Sequence, residues 1–215
     1  TFVAHEPRRM VPLHLLKAII EATDVNDFQG VAMVFLLLLL LFTFSRTECP
    51  CPKHFTGEES FDPRKHWMQR DVQFRTTSAG AALAIRFKAI KQDPRIERPT
   101  ARGDGSRRGE AQLGGADWVY VGDVPGIFSI FMWYRRYVAF FPNGRAPTDP
   151  LFLSRDMVRP YTYTAFVSDF RSALSHVSAD VDYGPHGIRV LGYNLSLEGN
   201  GRELTVAQGG WESLA

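Results

Sequence analysis

Lysine is scarce in this chain, at five residues against twenty arginines. Cysteine is scarcer still, at two, and opposite charges nearly cancel to a net +2. That near-balance excludes a bulk-charge argument for a polyanionic partner, so any such case rests on where the arginines stand. Arginine's planar fork suits phosphate oxygens better than lysine's point charge, although a GC-rich genome would produce the same excess. Cys49 and Cys51 have only Pro50 between them, a loop poorly suited to disulfide geometry. Reduced thiols in an intracellular protein are the simpler expectation. A zinc site drawn from Cys49, Cys51, His54 and His66 would match no common structural spacing. Neither metal nor cofactor is expected.

No apolar run reaches the roughly 20 residues that a membrane-spanning helix needs. The longest, Val31 to Phe44, has fourteen apolar or near-apolar residues, six of them consecutive leucines. Asp24, Asn26 and Asp27 precede it and Arg46 follows, which favours a buried core helix over a membrane anchor through residues 31–44. A signal peptide is excluded by its distance from the start and by the lack of a basic leader and a small-residue cleavage site. With 215 residues, 45% of them hydrophobic, the chain is sized for one large domain with a substantial core.

Local patterns fill in that domain. Leu13, Leu15, Leu16, Ile19 and Ile20 recur at helical spacing within 11–22. Asp24 to Asp27 reads as a turn and N-cap ahead of the leucine helix, and Pro50 and Pro52 rule out its continuation. Residues 53–66 read as a loop. Alternation over Val72–Arg75 and Leu83–Lys88, with a turn at Ser78–Gly80, predicts a β-hairpin, and Trp118–Val121 a third strand. Helices are expected over 126–141, from Thr162 or Thr164 to about Val177, and over His186–Leu197. Asn143-Gly144 closes the first and Gly199-Asn200-Gly201 the last, with a short helix then over Glu203–Ala207. Pro147 to Pro150 reads as a linker. Between Arg86 and Gly109 eight Arg/Lys face three Asp/Glu. Such a run is usually a solvated loop; its alternative is a phosphate-contacting arm using Arg95, Arg98, Arg102, Arg107 and Arg108.

The C-terminal third carries the informative spacing. Tyr183-Gly-Pro-His186-Gly-Ile-Arg189 holds a His-x-x-Arg pair just after a turn, and Trp211 follows Arg189 by twenty-two residues in Gly209-Gly210-Trp211-Glu-Ser213. Asp149-Pro-Leu151-Phe152 lies upstream. Phe44-Ser45-Arg46-Thr47-Glu48 directly follows the leucines, and Ile90-Lys91-Gln92-Asp93-Pro94 follows the hairpin. Together these resemble the catalytic domain of the tyrosine recombinases (phage-integrase-like), of the eukaryotic or viral mobile-element type.

The resemblance implies a mostly helical α+β domain, from about residue 11 to 215, with a small antiparallel sheet. The basic segment 92–116 is insertion-like and matches nothing in that family, and the family's usual N-terminal core-binding domain is not expected within these residues. The implied activity is DNA integration and recombination through a 3′-phosphotyrosyl link. The partners would be double-stranded DNA and further copies of the chain on it, inside the cell, and in the nucleus if the host is eukaryotic. Arg189 and Arg46 would hold the nonbridging oxygens of the pentavalent phosphate, with Trp211 donating its indole N–H. His186 would bind phosphate or assist proton transfer, and Lys91, rather than Lys88, would protonate the leaving oxygen. Arg46 departs from the family's Gly-Leu-Arg-x-x-Glu pattern: it stands two residues before Glu48 instead of three, which leaves Ser45 in the usual column. The family's tyrosine follows the Gly-Trp or Gly-His, whereas Ala215 comes four residues after Trp211. Tyr161, Tyr163, Tyr183 and Tyr193 all precede the motif, so none is expected to be the nucleophile. The alternative functional reading is an inactive, recombinase-derived DNA-binding or structural protein.

Overall fold

The computed structural model describes residues 9–46, 50–57, 59–78, 80–86, 118–180 and 182–208. They form helices α1 (Leu13–Ala22) and α2 (Phe28–Thr43) and strands β1 (Val72–Thr77), β2 (Gly80–Arg86) and β3 (Trp118–Val121). Helices α3 (Ile130–Ala139), α4 (Tyr163–Val177) and α5 (His186–Gln208) follow. The class is α+β, as expected from the sequence. Lys91, Trp211, Arg95, Arg98, Arg102, Arg107, Arg108 and the 92–116 segment lie outside the described residues.

Helix α2 begins where the Asp27 carboxylate accepts the Gly30 N–H at 2.9 Å, the usual N-cap bond. Every residue from Val31 to Leu41 is buried. A helix apolar all round needs neighbours on every side, and α3, α4, α5 and β3 all pack against α2. Each buried leucine contributes on the order of 2 kcal/mol. At 16 residues, α2 falls short of a bilayer's thickness, and no helix among the described residues is long and apolar enough to cross a membrane. Protein covers α2 over 31–41.

The predicted hairpin is β1–β2, antiparallel from Val72↔Ile85 to Thr77↔Gly80. Strand β3 joins β2 from Leu83↔Val121 to Arg86↔Trp118, giving the order β1-β2-β3. Alternation sends Val72, Leu83, Ile85 and Val121 into the core. Phe74, on that same face, meets the rings of Phe131 and Tyr134 on α3 at 5.0 and 5.2 Å.

Three expectations are revised. The helix read over 126–141 spans only Ile130–Ala139, because Gly126 takes φ +90° and Ser129 is the N-cap, its hydroxyl accepting the Met132 N–H at 3.0 Å. Residues 147–150 are fastened rather than a free linker. Gln69 N–H reaches the Asp149 carbonyl at 3.0 Å, Arg70 N–H the Pro147 carbonyl at 3.1 Å and Leu151 N–H the Trp67 carbonyl at 2.8 Å. Burial of Leu151 and Phe152 holds the segment down, with the Phe152 ring 5.4 Å from Phe35 of α2. Helix α5, finally, runs through Gly199-Asn200-Gly201 to Gln208. Interior glycine costs about 1 kcal/mol relative to alanine without forbidding the helix.

His66 is buried beside Phe61, with ring centroids 5.6 Å apart, and its Nδ1 lies 2.8 Å from the Asp62 N–H. Burial pushes its pKa below the ordinary value, against the opposing pull of Asp62. The unfolded chain therefore takes up the proton first. The stability contributed by neutral His66 is complete above about pH 6.5 and is lost as pH falls from there toward the folded-state pKa. Between about pH 7.5 and 5.5, wild-type denaturation midpoints should fall relative to those of His66→Gln; parallel curves for the two proteins would contradict this.

Candidate phosphate-binding site

The meeting of α2 and α5 organises the implied site residues. A Cβ built on Gly192 would lie 2.0 Å from the Leu41 carbonyl oxygen and 3.0 Å from Cδ1 of Phe44. The α5 backbone thus lies directly against the C-terminal end of α2, an approach open only to glycine. Leu41 lies in the last turn of α2, where carbonyls lack intrahelical partners, and a Cα–H···O contact suits so close a crossing.

From this contact the chain runs to the residues of interest in both directions. Arg189 stands three residues before Gly192 and His186 three before Arg189, along one side of the first turns of α5. Both are half-buried. The positive end of the α5 dipole lies at His186, which favours an anion there. On α2, Arg46 follows Phe44 by two residues and is also half-buried.

The end of α2 explains how Arg46 leaves the core. Phe44 adopts the left-handed conformation, φ 52° and ψ 22°, unusual for a bulky residue. The Thr43 hydroxyl donates to the Leu39 carbonyl at 2.6 Å, lies 2.8 Å from the Ser45 hydroxyl and accepts the Ser45 N–H at 3.3 Å. Ser45 stays buried, and Arg46 is the first residue to emerge. The left-handed residue thus stands two before Arg46.

A strap from before α1 fixes the turn that leads into α5. Arg9 pairs with Asp180 at 3.0 Å, donates to the Tyr183 hydroxyl at 3.2 Å and lies 4.6 Å from the centre of the Tyr183 ring. Val11 N–H bonds the Gly187 carbonyl at 3.3 Å. A Cβ on Gly187 would stand 2.4 Å from the Arg9 carbonyl. The charge of Asp180 raises the Arg9 pKa; the Asp182 N–H and then Arg9 lower that of Asp180. Sequence reading missed Arg9, Gly187 and Gly192. Their partners are remote in the chain, and the only local signal was glycine inside a helix, which marks close approach.

Among the described residues no group of three or more His, Cys, Asp or Glu is placed to hold a metal ion. Cys51 is a buried free thiol whose pKa burial pushes up; Cys49 lies outside the described residues. Arg46, His186 and Arg189 stand within a few residues of one helix crossing, and two guanidiniums and an imidazole are groups that bind phosphate oxygens. The chain matches no protein-family model and no curated protein sequence.

Gly192→Ala tests the crossing. In an ordinary helix interior the change would stabilise by about 1 kcal/mol. Here the clash with Leu41 should reverse the sign and destabilise by about 1–3 kcal/mol in equilibrium unfolding. A neutral or stabilised variant would contradict so close an approach.

Proposed function

We propose that this chain is the catalytic-type domain of a DNA strand transferase of the tyrosine recombinase kind, serving DNA integration and recombination. The observation that carries the reading is the α2–α5 crossing, where Leu41 and Phe44 meet Gly192 with Arg46, His186 and Arg189 close by in the chain. The left-handed turn at Phe44 supports Arg46 as the second arginine of the pair.

In this reading Arg46 and Arg189 hold the nonbridging oxygens of one phosphodiester, and their charge opposes the negative charge that gathers there as the phosphorus becomes pentavalent. His186 hydrogen-bonds the same phosphate or moves a proton at its oxygen. Lys91 and Trp211 are assigned by resemblance to the leaving oxygen and to a nonbridging oxygen. The nucleophile is a tyrosine expected about five residues beyond Ala215, by the family's spacing from its Gly-Trp or Gly-His.

Duplex affinity should fall linearly with salt on logarithmic axes, with a slope set by the number of phosphates contacted. Arg189→Ala should weaken binding uniformly across sequences and reduce the slope by about one. A flat salt response would contradict the reading. With residues after Ala215 supplying the tyrosine, a suicide DNA substrate should trap a covalent adduct, and Arg189→Ala should abolish it. Binding without an adduct in that extended chain would favour the inactive, DNA-binding descendant.

A further inference from the structure

Ser129, Met132, Trp133 and Arg136 recur at helical spacing, so one side of α3 carries them all. That side borders a recess of about 600 Å³, walled also by the end of α1, the turn after it and the loop before α3. Ile20, Val25, Ile127, Met132 and Trp133 make much of its wall apolar, and Arg136 lines it with them. The volume is that of a small-molecule pocket. Arg46, His186 and Arg189 take no part in it.

Arg136 is half-buried, and it forms neither an ion pair nor a hydrogen bond among the described residues. Its guanidinium carbon lies 4.9 Å from the centre of the Trp133 ring. A ring face fixes the plane of a guanidinium and leaves its N–H edge available to oxygen acceptors. Half-burial removes part of the hydration of this cation, and no anion replaces it.

Two carboxylates also line the recess, and both face other groups. The Asp123 oxygens accept the Ser129 hydroxyl at 2.8 and 3.0 Å and the Phe131 N–H at 3.3 Å. That sets the charge of Asp123 against the positive end of the α3 dipole. Glu21 lies 3.7 Å from Lys17, and both side chains are exposed. The recess therefore combines an apolar wall with a guanidinium that has no acceptor of its own.

We infer that this recess binds a small amphipathic acid, its apolar body against Ile127, Met132 and Trp133 and its acidic oxygens on the Arg136 guanidinium. Apolar burial holds the body, and a charge-assisted hydrogen bond selects the acidic head. The inference is independent of the DNA reading proposed above.

The test uses two fluorescent probes, anilinonaphthalene sulfonate and phenylnaphthylamine, which share a ring system but differ in the acidic group. Titrated with the whole chain, the sulfonate should occupy one saturable site and bind about tenfold more tightly than the neutral probe. Arg136→Gln should weaken the sulfonate about tenfold and leave the neutral probe unchanged. Arg135→Gln removes the same charge one residue away and should change neither, because Arg135 is exposed and lies over the Phe74 ring at the sheet. If Arg136→Gln unfolds in a thermal melt, Val25→Trp carries the test: its large ring at the exposed rim should exclude both probes, and unchanged binding would overturn the inference. Equal wild-type affinity for the two probes would also overturn it, as would binding of neither. An equal loss of sulfonate binding in Arg135→Gln would overturn it too, by making net charge the cause.

Discussion

The structure depends on burying a helix that has no polar side. From Val31 to Leu41, α2 offers apolar side chains in every direction, and water is kept from them only if other elements surround it. Helices α3, α4 and α5 and strand β3 do so, and Phe152 adds its ring from the 147–153 segment. Other placements follow from that demand. The sheet lies with one face inward because Leu83, Ile85 and Val121 join the same core, and 147–150 is held in place because Leu151 and Phe152 are drawn under.

A central helix so enclosed is also a rigid mount. Its N-terminus is capped by Asp27, and its C-terminus ends in a left-handed turn at Phe44 with Thr43 and Ser45 bonded beneath it. Arg46 emerges there, next to the glycine crossing with α5. On the other side, the Arg9 strap and the Val11–Gly187 bond fix the turn before His186. The segments that carry Arg46 and Arg189 thus meet through backbone contacts that tolerate no added methyl group.

Much of the fold was legible because its signals are local. The leucine run, the alternation over 72–75 and 83–86, and the Thr162 cap correspond to α2, the hairpin and α4. Element ends were harder: Gly126 looked like part of a helix yet takes φ +90°, and Gly199-Asn200-Gly201 looked like a stop yet is spanned by α5. In both places backbone freedom lets glycine follow tertiary demand. In the candidate site, His186 and Arg189 were readable as a spaced pair. The glycine contacts and the Arg9 strap were not, since each joins residues far apart in sequence. Arg46 stands two residues before Glu48 rather than three, and Glu48 lies outside the described residues.

The central claim is that the α2–α5 crossing presents Arg46 and Arg189 to one phosphate. A double-mutant cycle on duplex binding measures this directly, with Arg46→Ala, Arg189→Ala and the double variant compared at a single salt concentration. Two arginines on one phosphate should be non-additive, with a coupling energy within about 0.5–3 kcal/mol. Strictly additive losses would mean that the two arginines grip separate phosphates and would contradict the account.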